Sequence, residues 1–247
     1  MRDIKRYTDD YNQPNFEDYQ VVYRRKKVLD VMEKYRPKRI IEIGCGREPL
    51  FQYIDWEYDC YVVVEPSENF FNNAKELSRG KDRVTCYHEY FSSSDKLREI
   101  QADFIICSSL LHELEQPVEF LKNVAYVCKE NTIVHINVPN AYSLHRMIAK
   151  EIGIIEDLHD MSERNKLYQQ HSVYDLETLK AVTELAGFVV LEEGTYFVKP
   201  FTHGQMYNMM RNKIINEEVL DGLYRIGKFF PENGSEIFLN LNILPSK

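Results

Sequence analysis

The sequence predicts an α/β fold, and three observations carry that reading. From residue 39 to 138 short apolar runs alternate with segments of helical periodicity, the pattern of a parallel sheet with crossover helices. The β-branched run Ile40-Ile-Glu-Ile43 breaks into Gly44-Cys-Gly46, a strand turning sharply into a helix, where glycine admits a ligand close to the backbone. About 20 residues on, Tyr61-Val-Val-Val-Glu65 ends in an acid, placed to accept hydrogen bonds from both hydroxyls of a ribose. Together these specify a sheet that binds a nucleoside.

The elements follow in order. Residues 1–36 read as an N-terminal helical cap, polar and aromatic through Pro14 and then helical, with Val21, Val28 and Met32 on one side and Pro37 as the stop. The rest, 37–247, reads as one domain. Strands are expected at 39–43, 61–65, 83–88, 104–107 and 132–138. Ser67 caps a helix that Gly80 can end, and Pro117 opens another with Val118, Leu121, Val124 and Cys128 on one face. The continuous run Phe104-Ile-Ile-Cys107 fits a strand covered on both faces. A helical insertion is expected at 141–173, an amphipathic helix at 175–186 closed by Gly187, and a strand at 188–197. A second insertion spans 198–235, and residues 236–244 alternate like a final strand.

Composition limits the function classes. The 247 residues are 28% charged and 44% hydrophobic, ordinary globular material. A net charge of −8 argues against a general nucleic-acid binder, so Tyr23-Arg-Arg-Lys-Lys27 reads as a solvated helix face. The five cysteines are odd in number and lack any C-x-x-C pair, which fits a reducing compartment. The first 20 residues are polar, and no apolar run approaches a membrane span, so the expectation is a cytoplasmic protein with no membrane partner.

Three nucleoside cofactors use such a sheet: a nicotinamide dinucleotide, a flavin dinucleotide and S-adenosylmethionine. A dinucleotide pattern places a third glycine at position 49, where this chain has Pro49, which offers no N–H. S-adenosylmethionine has no phosphate to anchor, and Glu42 supplies negative charge beside its ammonium.

The runs Ile41-Glu-Ile-Gly-Cys-Gly46, Val64-Glu65-Pro66 and Asp103-Phe-Ile-Ile-Cys-Ser-Ser-Leu-Leu-His-Glu113 resemble motifs of class I S-adenosylmethionine-dependent methyltransferases. Asn137-Val-Pro-Asn140, the segment 171–179 and Ala186-Gly-Phe188 extend the resemblance to about residue 197. It is nearest to bacterial small-molecule enzymes, including those of surface-polysaccharide and capsule pathways. The resemblance implies a Rossmann-like seven-stranded sheet with the last strand antiparallel and helices on both faces. It also implies a cofactor site: Glu42, Gly44, Cys45 and Gly46 at the methionine part, and Glu65 and Pro66 at the ribose. Glu89, Tyr90 and Phe91 fall at the adenine, and Ser108 on the methyl side.

Methyl transfer needs alignment, exclusion of water and, for most acceptors, a base. His112, after the fourth strand, is the first candidate base, against the plainer reading of a packed histidine. Glu113 beside it either orients the imidazole or faces solvent. His171 ranks second as base or acceptor ligand. The insertion adds His145 and Arg146, a pair suited to a phosphate or carboxylate, beside His159, Asp160 and Arg164. Tyr19 and Arg24 are candidates for the methionine carboxylate or the acceptor. No tight spacing of metal ligands occurs, so no metal is expected. Met206-Tyr-Asn-Met-Met210 reads as core, as a surface for a second copy in a homo-oligomer, or as a lid. The leading expectation is methylation of O or N on a small polar acceptor, a sugar nucleotide or phosphorylated metabolite, yielding S-adenosylhomocysteine. A nicotinamide-dependent oxidoreductase and a non-catalytic cofactor-binding partner subunit are the alternatives.

Overall fold

Seven strands form where the chain is β-branched and apolar: β1 (Arg39–Ile43), β2 (Cys60–Val64), β3 (Val84–Tyr87), β4 (Phe104–Ser108), β5 (Ile133–Pro139), β6 (Phe188–Tyr196) and β7 (Glu236–Ile243). They make one sheet in the order β3-β2-β1-β4-β5-β7-β6. The pairs among β1 to β5 are parallel, and β7 runs antiparallel to both β5 and β6. The computed structural model describes residues 4, 5, 8 and 13–244; Tyr7 and Tyr11 lie outside the described residues.

Helix α1 (Glu17–Tyr35) ends at Arg36, whose left-handed backbone (φ 41°) turns the chain into Pro37. Around the sheet lie α2 (Glu68–Leu77), α3 (Asp95–Arg98), α4 (Pro117–Val127), α5 (Leu144–Glu151), α6 (Glu163–Leu167), α7 (Leu176–Leu185), α8 (His203–Arg211) and α9 (Glu217–Arg225). Alternation along each strand sends side chains to two cores. Ile41, Val62, Ile105, Val134 and Leu239 meet α4 and α7 through Leu121, Val124 and Leu179. Ile40, Tyr61, Val63, Phe104 and Ile106 meet α1 and α2 through Val28, Val31, Met32 and Ala74. A third, aromatic cluster joins Phe16 and Tyr23 of the α1 end to Phe197, Met206 and Leu220 of the late insertion.

One local expectation is overturned. The Gly44-Cys-Gly46 turn does not enter an α-helix: the connection from β1 to β2 holds only a three-residue 3-10 turn, Leu50–Gln52. Two features hold the helix off. Pro49 disfavours helical geometry before it, and the Leu50 N–H is taken by the Glu42 carboxylate (3.1 and 3.3 Å).

The sheet order reverses direction between β1 and β4. Open α/β sheets bind ligands at such a switch point, beyond the carboxyl ends of the strands. Among the described residues no helix is long and apolar enough to cross a membrane.

Candidate active site

A crevice of about 1000 Å³ opens at that switch point. Its floor is the turn after β1, where Gly44 (φ 75°) and Gly46 (φ 58°) adopt left-handed geometry and a Cβ on either would meet only open space. Beside them sits Glu65, buried, its carboxylate accepting the N–H groups of Ser67 (2.8 Å) and Gly46 (3.4 Å) and facing the Cys45 thiol at 3.7 Å. Burial holds this carboxyl above its ordinary range, with those N–H groups acting against it. Pro66, Tyr90 and Phe91 wall the end beyond β2 and β3, and Ser108 lines the side beyond β4. At its near end Thr8 Oγ1 lies 2.9 Å from Ser67 Oγ, and Ile4 lines the cavity.

Glu42 is also on this wall, buried, and receives the Tyr61 hydroxyl at 2.7 Å as well as the Leu50 N–H. Burial pushes its carboxyl up to about 7, against those hydrogen bonds. The unfolded carboxyl ionises near 4.5, so the folded state holds an extra proton between these values and stability falls as pH rises through that window. Glu42→Gln keeps an acceptor for both donors and removes the buried charge. In urea titrations of ligand-free protein it is expected to gain on the order of 2 kcal/mol over the parent at pH 8, and nothing at pH 4. An equal gap at both pH values would show that ionisation is not its source.

A second, smaller chamber of about 130 Å³ adjoins the crevice, and Glu17, Arg24, Ser109 and Glu113 line both. His112 belongs to the chamber wall, buried in a 3-10 turn, Leu111–Glu113, whose His112 carbonyl accepts the N–H groups of His171 (2.8 Å) and Ser172 (3.2 Å). Its Nε2 lies 3.9 Å from Glu113 Oε1. Glu113 is buried rather than turned to solvent. His171 is exposed on the crevice rim. His145 and Arg146 both line the chamber. Burial drives His145 well below the usual histidine range, and Arg146 is spent on the carbonyls of Leu158 (3.0 Å) and Asp160 (2.7 Å), which fix the insertion as a wall.

Two expected residues fall elsewhere. Tyr19 packs on Phe16 with ring centroids 5.8 Å apart and lines neither cavity. On α1 the crevice face carries Glu17, Val21, Arg24 and Val28, and a residue two places after Glu17 points about 200° away. Glu89 pairs with Lys96 at 2.7 Å and leaves the lining to the two aromatics after it.

The structure adds groups that pattern reading missed. Ser109, left-handed at φ 54° between the two cavities, is pinned by Asn137 Oδ1, which accepts its N–H (3.0 Å) and the Ser108 hydroxyl (3.1 Å). Asn137 continues to His135 (3.0 Å) and then Asn240 (2.7 Å) inside the sheet, where burial takes His135 down to about 4. A histidine and an asparagine inside the apolar run 133–138 were the available signal. Arg24 bridges Glu17 and Glu236 at 2.5 Å each, with Gln20 donating to Glu236 at 2.7 Å. Lys199, fully buried next to them, contacts Gln20 (3.2 Å) and His203 (2.7 Å).

The crevice suits S-adenosylmethionine: a buried carboxylate for a diol, open glycine backbone for the methionine part, and no α-helix N-terminus directly after the glycines, the place where a dinucleotide's diphosphate is anchored. A family model described as a methyltransferase domain matches residues 18–193, over two thirds of the chain. Comparison with curated protein sequences finds no match. The fold is similar to that of an S-adenosylmethionine-dependent methyltransferase from Mesorhizobium loti (TM-score 0.53, 11% identity, 83% of this chain and 90% of that one). A SAM-dependent methyltransferase from Aquifex aeolicus gives 0.50, 15%, 83% and 81%. Phosphoethanolamine N-methyltransferase 2 from Haemonchus contortus, solved with S-adenosyl-L-methionine, gives 0.58, 14%, 89% and 53%. With the family match covering most of the chain, the protein belongs to the methyltransferase-domain family and is an S-adenosylmethionine-dependent methyltransferase.

Proposed function

We propose that the protein methylates an oxygen or nitrogen of a small polar acceptor, a sugar nucleotide or phosphorylated metabolite, in the cytoplasm and in a surface-glycan pathway. The observation that carries the small, polar acceptor is the junction of the two cavities: the crevice opens at Ser109 and Glu113 into a chamber walled by His112, His145 and Arg146. The net charge of −8 supports a small molecule over bulk nucleic acid.

S-adenosylmethionine would supply an electrophilic methyl on a sulfonium, whose sulfur departs as a neutral thioether without protonation. The chain's own residues do the rest. Glu65 accepts from the ribose diol, while Gly44 and Gly46 leave room for the methionine part. The Ser108–Ser109 turn, held by Asn137, sets the wall where methyl and acceptor meet. Holding the reactants in line is worth up to about 7–11 kcal/mol in favourable cases. His112, on the chamber wall next to Glu113, takes the acceptor's proton.

Glu65→Ala tests the cofactor assignment. Losing charge-assisted hydrogen bonds to the diol is expected to weaken S-adenosylhomocysteine binding by about 1.5–3 kcal/mol, read by calorimetry. Unchanged affinity, or NADH binding in place of S-adenosylhomocysteine, would falsify it.

A further inference from the structure

The chamber beyond the crevice has its own chemistry, independent of the cofactor wall. Lys199 is 1% exposed, yet among the described residues its amine hydrogen-bonds only to two neutral groups, the Gln20 amide oxygen and the His203 ring nitrogen. The Arg164 guanidinium, in the same lining, makes no hydrogen bond or ion pair with any described residue; it rests on the Tyr168 ring at 4.8 Å from the centroid. Ser235 Oγ and His145 Nδ1 are buried in the same lining without a hydrogen-bond partner among the described residues. A buried polar atom left without a partner costs about 1–3 kcal/mol, and here two share a small cavity with two cations.

The acidic groups nearby do not answer these cations. Glu17 Oε1 is engaged by Arg24 and Glu17 Oε2 faces His203 at 3.6 Å, while Glu236 takes Arg24 and Gln20. Glu113 lies where the chamber meets the crevice, 3.9 Å from His112 Nε2.

The geometry points to this chamber as an oxyanion subsite, in which Lys199 and Arg164, with Ser235 and His145, hold a carboxylate or phosphate group of the methyl acceptor. The chamber's volume, about 130 Å³, is room for roughly four waters. It therefore takes the acidic end group, and the rest of the acceptor passes Ser109 and Glu113 toward the methyl. Burial, with Arg164 adding to it, brings Lys199 down to about 7, so the amine lacks a counter-charge that an incoming anion supplies. Neutral His145 contributes a hydrogen bond and no charge. As a statement about the acceptor this rests on the methyltransferase reading; as a statement about anion binding it does not.

The test is calorimetric titration of inorganic phosphate, and separately of acetate, into the full chain with and without S-adenosylhomocysteine. Three variants accompany the parent: Arg164→Gln, Lys199→Met, and Lys166→Gln, an exposed lysine of the same helix α6 paired outward with Glu163. At least one anion is expected to bind, at least tenfold more weakly to Arg164→Gln and to Lys199→Met, with Lys166→Gln unchanged. Arg164 is only half-buried and its guanidinium has no ion-pair partner among the described residues, so its variant keeps the test alive if Lys199→Met fails to fold. Tighter phosphate than acetate assigns a phosphoryl group, and the reverse assigns a carboxylate. No binding of either anion, or binding that Arg164→Gln leaves intact or that Lys166→Gln weakens equally, overturns the subsite. Anion binding lost in Arg164→Gln while S-adenosylhomocysteine fails to bind would leave the subsite standing and overturn the cofactor assignment instead.

Discussion

Replacing Arg24 by methionine is expected to destabilise the protein by about 3–5 kcal/mol, the cost of stranding buried charge when one partner of a buried ion pair is removed. Arg24 is 6% exposed, and of its two carboxylate partners Glu17 lies two turns away on the same helix and Glu236 at the start of β7. Burial pushes the Glu17 carboxyl up, but Arg24 and His203 outweigh it and hold the group well below the usual carboxylate range. Its stabilising contribution is therefore present above the ordinary glutamate pKa and is lost as pH falls below it. With methionine at 24 two carboxylates face each other without their cation, and Lys199 is the nearest replacement. Urea unfolding at pH 7 should show a lower midpoint at unchanged slope. Adding Glu236→Gln should restore part of the loss, because one stranded charge is then gone. A single-variant loss below about 1 kcal/mol would place Arg24 with ordinary surface pairs and remove it as the post between the two cavities.

How much of this was legible in the sequence differs by element. β1 was read to its ends because Arg39–Ile43 is a β-branched run closed by glycine, and the other six strands fell within a residue or two of their expected bounds. Periodicity and turn chemistry are local signals, and these elements are decided locally. The missing helix after Gly46 was not legible, because Glu42, eight residues back, captures the Leu50 N–H by a tertiary contact. The crevice residues carried by the motifs Ile41–Gly46 and Val64–Pro66 line the cavity, since motif and geometry there are one stretch of chain. The chamber is different. Its charges come from α1, the turn after β4, α5, α6 and the turn after β6, and spacing along the chain says nothing about their convergence. For Lys199 the trace in the sequence was a lone charge after the apolar run Tyr196-Phe-Val. Tyr19 shows the converse error, a residue of suitable chemistry on the wrong face of its helix.

His112→Ala is expected to lower turnover by about 10²–10⁴-fold at unchanged S-adenosylhomocysteine affinity, the effect of removing a positioned proton acceptor. The split between rate and affinity follows from position. His112 lines the chamber and not the cofactor crevice, while its backbone, bonded to His171 and Ser172, ties the turn after β4 to the insertion. The imidazole is thus fixed where an acceptor entering from the chamber would present its hydroxyl or amine. Glu113 Oε1 lies 3.9 Å from its Nε2. A histidine that is only packing material would show a different signature, a lower urea midpoint with normal turnover in the folded fraction. His171→Ala separates the second candidate: this side chain is exposed on the crevice rim, so its loss is expected to leave turnover within a few-fold of the parent. The measurement is single-turnover methylation across a panel of phosphorylated and carboxylated acceptors, with cofactor affinity taken on the same preparations. Normal rates in His112→Ala together with a collapse in His171→Ala would move the proton acceptor to the rim, and the acceptor would then approach through the crevice mouth instead of the chamber.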